Sequence, residues 1–380
     1  MSEKVSVLYT LPAGSGDDDR SQEALRAISA QTYPSGLMET IEVQYVPVAP
    51  GAHTSALNAA WESATGEFVV HAESGVVWDG TKVERQVRQL QEDPSLSACV
   101  HCMTACASNG RARLLDLRPL ETYGLLIGCL LDVPWGPGAA VFRKEAMAEL
   151  GVYRNVDQVL WEYAVRLAEK GHPVELTDED LAVWHVDEGP VHEGQGLDLA
   201  PSRVRHSFMK SYLDRMTPEA LFPGSGRQEL GQLVLAGLHH RNDDLAAAHA
   251  LCTLAGRDTG LPEASYWHGM THRREGDFQG ARRWFRGTTR LEVLSGIRES
   301  TVGLLQRVMQ MPEYGSAREA ALRLMQQLNA EGTWDPNHLV GLCETCLEGG
   351  TPEERRLLEE VQEIEFCVVF DRSFELASQG

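Results

Sequence analysis

The sequence predicts an α/β domain with a mostly parallel sheet, followed by an all-α region. The first part rests on strand-like and helix-like segments that alternate over residues 5–92. The second rests on the helical periodicity that dominates after residue 200, where residues 366–370 fit a strand or a helix equally well. Because 380 residues are too many for one ordinary core, we expect two domains, 1–200 and 201–380.

The α/β pattern is recognised by apolar runs that end at turn residues and by amphipathic runs that follow them. Acidic residues at positions 17–19 favour a helix start, and Gly66 is placed to end a helix. The predicted elements, in order, are a strand at 5–11, a helix at 22–31, a strand at 40–46, a helix at 55–64, a buried strand ending near residue 73 and a helix at 81–92.

The strand that ends at His71-Ala72-Glu73 is the predicted centre of the chemistry. Its apolar residues indicate burial, and side chains two positions apart on a strand point the same way. Ligands of open α/β sheets bind outside the carboxyl ends of the strands. His71 and Glu73 are therefore the first candidates for a functional site.

Charge and composition narrow the classes of partner. The chain has 34 basic and 55 acidic residues, a net charge of −21, which disfavours nucleic acid and anionic lipid as partners. No apolar run approaches the roughly 18 residues of a membrane span, and the first residues lack the apolar core of a signal peptide. We therefore expect a soluble, cytoplasmic protein whose eight cysteines are reduced.

The turns between strands and helices lack the usual phosphate-binding glycine motifs. Neither G-x-G-x-x-G nor a Walker sequence follows a predicted strand, and Gly14-Ser15-Gly16 is a weak substitute. A standard Rossmann dehydrogenase or P-loop enzyme is therefore disfavoured.

Several segments carry a resemblance to a known family. These segments follow one another at residues 5–8, 23–34, 57–70, 78–86, 136–151 and 161–171, and together they span roughly residues 1–190. In this order they resemble motifs of family 2 glycosyltransferases, which have the GT-A fold. The resemblance implies transfer of a sugar from a nucleotide-diphospho-sugar to a hydroxyl of a glycan or another acceptor, with inversion. It also implies a divalent cation, Mn²⁺ or Mg²⁺, at the diphosphate.

The same resemblance implies roles for individual residues. His71 and Glu73 occupy the place of the family's Asp-x-Asp metal motif, and His185 resembles a late histidine that completes the metal site in some members. The family's general base aligns with Leu160, so Glu162 and Asp157 are the nearest carboxylates for that role. Arg143 and Asp17 are the candidates for donor binding.

Three acidic positions of the family are replaced in this chain, including the aspartates expected at residues 46–49. Each candidate also has a structural interpretation, such as a turn cap or a helix-surface carboxylate. The alternative function is therefore a catalytically degenerate GT-A fold that acts as a binding or scaffolding module.

The second half contains two segments that resemble tetratricopeptide hairpins. Residues 264–285 have an aromatic helix, a Gly-Asp turn and a helix with a small residue, and residues 242–248 repeat the turn some 34 residues earlier. Such a domain is expected to recognise the acceptor or a protein partner. His239, His240 and His249 are interpreted as packing or surface histidines, and the two C-x-x-C pairs, at 99/102 and 343/346, as buried cysteines in preference to zinc ligands.

Overall fold

The protein is described from a computed structural model that covers residues 3–12, 18–45, 51–108, 112–115, 117–186, 197–289, 291–311 and 314–379. The chain divides into two compact units, Met1–Glu193 and Gly194–Gly380, and each is described by itself.

The first unit is built on one eight-stranded sheet with the strand order β2-β1-β3-β7-β5-β8-β4, and β6 pairs with β5. Its strands are β1 (Val5–Pro12), β2 (Met38–Tyr45), β3 (Phe68–Glu73), β4 (Val76–Trp78), β5 (Ala98–Ala107), β6 (Ala112–Leu115), β7 (Ala140–Arg143) and β8 (Val174–Val186). Its helices are α1 (Asp19–Ser29), α2 (Ala52–Ser63), α3 (Lys82–Glu92), α4 (Arg118–Leu131), α5 (Lys144–Leu150) and α6 (Val159–Glu169), with a 3₁₀ turn at Ser35–Leu37.

The prediction of an α/β domain is confirmed, and the elements predicted up to residue 92 are present. Helix α1 begins earlier than predicted because Asp18 caps it by accepting a hydrogen bond from the Ser21 amide at 2.7 Å. Strand β3 is buried along nearly its whole length, as expected for a central strand covered on both faces.

The prediction of a mostly parallel sheet is wrong, because the described strands form a mixed sheet. β1 runs parallel to β2 and β3, and β5 runs parallel to β8. Strand β7, however, lies antiparallel between β3 and β5. Just before β7, Gly138 passes close to the end of β3, because a Cβ there would lie 3.1 Å from the His71 carbonyl oxygen. Strand β7 therefore starts beside the carboxyl end of β3 and runs towards its amino end.

The second unit is helical throughout its described part. Its helices are α7 (Ser207–Leu213), α8 (Pro218–Leu221), α9 (Gln228–Arg241), α10 (Leu245–Thr259), α11 (Pro262–Arg274), α12 (Phe278–Phe285), α13 (Val293–Val308), α14 (Arg318–Glu331), α15 (Pro336–Gly349) and α16 (Pro352–Ser378). Residues 366–370 lie inside α16, which starts with a capping box between Thr351 and Glu354. Across the described residues, we find no helix with the length and apolar character needed to cross a membrane.

Two helix hairpins of the second unit share one turn geometry. In the α9–α10 turn, the amides of Asp243 and Asp244 donate to the carbonyls of His240 and His239. In the α11–α12 turn, 33 residues later in the sequence, Gly276 and Asp277 make the equivalent pair of bonds. Asp243 and Gly276, at equivalent positions of the two turns, both have a positive φ, 59° and 81° respectively. The carboxylate of Asp243 forms ion pairs with Arg205 and Arg274. The hairpins therefore form a two-fold internal repeat, while their tetratricopeptide character remains a prediction.

Candidate functional site

The candidate site lies at the carboxyl ends of the three parallel strands β1, β2 and β3. The register pairs Thr10 of β1 with Glu73, and Leu11 of β1 with Gln44, so the three strands end at one edge of the sheet. His71 and Glu73 both lie in the last three residues of β3. The sequence-based placement of these two residues at a strand end is thus correct.

The turn after Glu73 requires a glycine and brings β8 close. Gly75 has a φ of +84°, and a Cβ there would lie 3.0 Å from the His185 carbonyl oxygen. The His185 amide in turn donates to the Gly75 carbonyl at 2.8 Å. The backbone of His185 is therefore fixed beside the end of β3.

His71 is buried and already has a hydrogen-bond partner. Its Nε2 lies 2.7 Å from the hydroxyl of Tyr153, and its ring also contacts Phe142 edge-on. Burial, with a smaller contribution from His53, lowers the pKa of His71 to about 4. The imidazole is thus neutral at pH 7.

Asn58 holds Tyr153 in this position. Its side chain accepts a hydrogen bond from the Tyr153 amide at 2.8 Å and donates one to the Tyr153 carbonyl at 3.1 Å. Helix α2, which carries Asn58, therefore fixes the backbone of Tyr153, whose ring contacts His71.

Among the described residues, Glu73 is a carboxyl group that remains available at this edge. It is half-buried, and burial raises its pKa. Among the described residues its carboxylate has no hydrogen-bond donor and no ion-pair partner. Tyr45 and His53 stack with ring centroids 4.6 Å apart, and the pKa of Tyr45 is raised by burial and then by the charge of Glu73. A half-buried carboxyl group and an aromatic pair thus occupy neighbouring positions.

The predicted metal ligands do not form a ready-made set in this structure. Groups of three potential ligands with ligand atoms within 4.8 Å of one another occur in the described residues, but none contains His71, Glu73 or His185. The Nε2 of His71 is also engaged by Tyr153. The metal role of the three residues therefore remains a prediction.

Glu162, one of the two predicted bases, is held in ion pairs. Its side chain is 1% exposed; one carboxylate oxygen accepts from Arg154 at 3.1 Å, and the other lies 2.9 Å from an Arg166 nitrogen. Arg166 also donates to the carbonyls of Leu150 and Val152. Glu162 thus ties helix α6 to the segment after α5. Asp157, the other predicted base, is exposed in the loop before α6.

Arg143, one of the two residues predicted to bind the donor, is not brought to the described edge. Arg143 pairs with Phe68 at the amino end of β3 and donates to the carbonyls of Leu96 and Leu90 and to Glu67. That position is five residues, or about 17 Å of extended strand, from Glu73. Asp17 and residues 46–49 lie outside the described residues.

Comparison with known proteins gives similarity to solved structures alone. No protein-family model and no curated protein matches the chain. TarS from S. aureus, residues 1–349 in complex with UDP-GlcNAc, is similar with a TM-score of 0.47 and 12% identity, over 74% of this chain and 90% of that one. Another TarS structure has a TM-score of 0.44 and 13% identity over 74% of this chain and 54% of its own, so this chain spans about half of it. Mannosyltransferase PcManGT from Pyrobaculum calidifontis, in complex with GDP-Man and Mn²⁺, has a TM-score of 0.42 and 18% identity over 73% and 87%.

Sequence reasoning missed the side chains that surround His71 and Glu73. Tyr153 and Asn58 are 95 residues apart along the chain, and Tyr45 and His53 are eight residues apart. No period or motif in the sequence links them. Their proximity arises from the packing of α2 and the segment after α5 against the sheet.

Proposed function

We propose that the first unit binds a nucleotide-diphospho-sugar over the carboxyl ends of β1, β2 and β3 and transfers its sugar to an acceptor hydroxyl with inversion. The family resemblance over residues 1–190 supports the donor class. The observation that carries the placement is Glu73, a half-buried carboxyl group without a partner among the described residues, at the strand end where ligands of such sheets bind.

In this proposal Glu73 takes the proton of the acceptor hydroxyl as that oxygen bonds to the sugar and the nucleoside diphosphate leaves. Its raised pKa suits a general base, because proton transfer is most efficient when the pKa of the base is near the working pH. His71, neutral and held by Tyr153, shapes the floor of the site. Asp157, which is exposed, remains the alternative base. The carboxylate of Glu162 is buried and engaged by two arginines.

The second candidate function is a degenerate fold that binds a nucleotide sugar or a partner without transfer. It is favoured by the partners that His71 and Glu162 already have, since neither side chain is free for chemistry. In both functions the second unit is proposed to recognise the acceptor or a protein partner.

The experiment has a binding arm and a turnover arm. UDP, GDP and their sugar conjugates are titrated into the full chain with and without Mn²⁺, with calorimetry and melting temperature as readouts, because a ligand of the folded state stabilises it. Release of nucleoside diphosphate from the sugar conjugates is then followed for wild type, Glu73→Gln, Asp157→Asn and the exposed control Glu62→Gln.

Transfer predicts that Glu73→Gln lowers turnover by roughly 10²–10⁴-fold while nucleotide binding persists and Glu62→Gln behaves as wild type. If Asp157→Asn lost turnover to that extent while Glu73→Gln stayed active, the role of general base would be assigned to Asp157. Binding without turnover would establish the second candidate. Absence of binding by every nucleotide tested would overturn transfer and nucleotide binding, and would leave partner binding as the form of the second candidate that stands.

A further inference from the structure

Three histidines of the second unit converge on one side of the α10–α11 pair. His249 lies on α10, and His268 and His272 lie one helical turn apart on α11. One ring nitrogen from each lies within 4.8 Å of those of the other two. The ring centroids are 4.4 Å apart for His249 and His268, 4.8 Å for His249 and His272, and 5.1 Å for the parallel rings of His268 and His272.

The rings are held in place from outside the cluster. The indole of Trp284 stacks on His268 with centroids 3.9 Å apart, so this side chain cannot swing towards solvent without losing a ring contact. Among the described residues, neither ring nitrogen of His268 has a hydrogen-bond partner. A buried imidazole in that state has capacity for a ligand.

Two carboxylates complete the rim of the cluster. Glu275 Oε1 lies 3.3 Å from Nδ1 of His249, and Asp277 Oδ2 lies 3.0 Å from Nδ1 of His272. The other Asp277 oxygen accepts the Gly280 amide at 2.9 Å, which fixes this carboxylate at the start of α12. Carboxylates in this position serve either as a further ligand or as the group that orients a metal-binding imidazole.

We propose that His249, His268 and His272 form a binding site for a divalent transition metal ion, with Zn²⁺ as the reference ion, at the α10–α11–α12 junction. Histidines at positions i and i+4 of a helix present two imidazoles to one ion, and the adjacent helix supplies the third. Three imidazoles with a carboxylate or water make a tetrahedral zinc environment. Imidazole also suits Zn²⁺, Cu²⁺ and Ni²⁺ better than Mg²⁺ or Ca²⁺.

The geometry needs a modest contraction on binding. Tetrahedral ligands about 2.05 Å from zinc are about 3.4 Å apart. Ligand atoms now within 4.8 Å therefore close by up to about 1.5 Å, which side-chain rotation supplies. The sequence shows the i, i+4 spacing of His268 and His272, but not that His249, 19 positions before His268 and in another helix, joins them.

Two other groups of potential ligands in the second unit are less suited to a transition metal ion. In the group of Asp214, His239 and Asp244, Lys210 already lies 2.9 Å from Asp214 and 2.6 Å from Asp244, so an ammonium group occupies the place of a cation. The group of Glu331, Asp335 and His338 has a single imidazole.

The test titrates ZnCl₂, and separately CoCl₂, into the metal-free full chain. Calorimetry is expected to give one tight equivalent of Zn²⁺, Co²⁺ to develop the visible absorption of a tetrahedral complex, and the melting temperature to rise with Zn²⁺. His268→Gln and His249→Gln are each expected to weaken Zn²⁺ binding by more than the roughly 10–100-fold that loss of a second-shell partner costs.

The matched control is His338→Gln, which alters the single-histidine group of the same unit. It is expected to bind Zn²⁺ as the wild type does. His249→Gln replaces a half-buried ring, so it gives a second answer if His268→Gln unfolds. Wild-type Zn²⁺ binding in a folded His249→Gln or His268→Gln variant, loss of binding in His338→Gln alone, or no saturable Zn²⁺ binding by the wild type would each overturn the proposal.

Discussion

The hydroxyl of Tyr153 and Nε2 of His71 lie 2.7 Å apart and join the end of the central strand to the segment that follows α5. His71 is 3% exposed, so its ring is shielded from water and is hydrogen-bonded to the Tyr153 hydroxyl instead. His71, which the sequence resemblance suggests as a metal ligand, thus has a structural contact in the folded chain.

Acid is expected to destabilise the protein through His71. Its folded-state pKa of about 4 lies below the ordinary value of 6.5 because the ring is buried. Between these values the unfolded chain binds a proton that the folded chain does not. The free energy of unfolding therefore falls as the pH drops from 6.5 to 4, by up to about 3 kcal/mol, and His71→Gln should remove this part of the pH dependence.

Tyr153→Phe is the matched variant, measured with the wild type by urea unfolding between pH 4 and 7. It keeps His71 buried but removes the hydroxyl, which is expected to cost about 1–3 kcal/mol at all these pH values. The slope with pH should survive, since burial and not Tyr153 lowers the pKa. A wild-type slope in His71→Gln would contradict this assignment.

Glu162 is expected to matter for stability. Replacement by Ala leaves Arg166, itself 5% exposed, without its carboxylate, and breaking a buried ion pair of this kind costs about 3–5 kcal/mol. Chemical denaturation measures the change, with exposed Glu62→Gln expected within about 0.5 kcal/mol of wild type. A stable Glu162→Ala protein that had lost turnover would instead return Glu162 to the catalytic base role.

The buried pair of Arg273 and Glu365 is expected to show strong coupling. Both side chains are 0% exposed, and Glu365 also accepts from the Tyr266 hydroxyl at 2.7 Å. Glu365→Leu alone is expected to lower the free energy of unfolding by about 3–5 kcal/mol, because it leaves the buried guanidinium of Arg273 without its carboxylate. Arg273→Met with Glu365→Leu should cost less than the sum of the two single changes, and an additive double-mutant cycle would argue against the pairing.

Glu39 is expected to act in a lower pH range than His71. Partial burial would raise its pKa, but hydrogen bonds from Lys4, Ser6 and Thr65 lower it to about 2. The stabilisation is therefore complete above the ordinary value of 4.5 and lost as the pH falls towards 2; it amounts to about 2–3 kcal/mol.

Urea unfolding of Glu39→Gln checks this assignment. The deficit against the wild type should be largest above pH 5 and shrink towards pH 2. If Glu39→Gln were less stable than the wild type by the same amount at every pH in that range, the packing of the Glu39 side chain, and not its charge, would account for its contribution to stability.

The sequence by itself determined the order of strands and helices, the change from α/β to all-α, and the position of His71 and Glu73 at a strand end. Those features depend on local periodicity and turn residues, which neighbouring side chains along the chain specify. Only the tertiary structure decided that β7 is antiparallel to its neighbours and that His249 lies beside His268 and His272. It also decided that the side chain of His71 is hydrogen-bonded to Tyr153 and that of Glu162 is ion-paired with arginines. These contacts join residues distant in sequence, and packing of whole elements, not local pattern, brings such residues together.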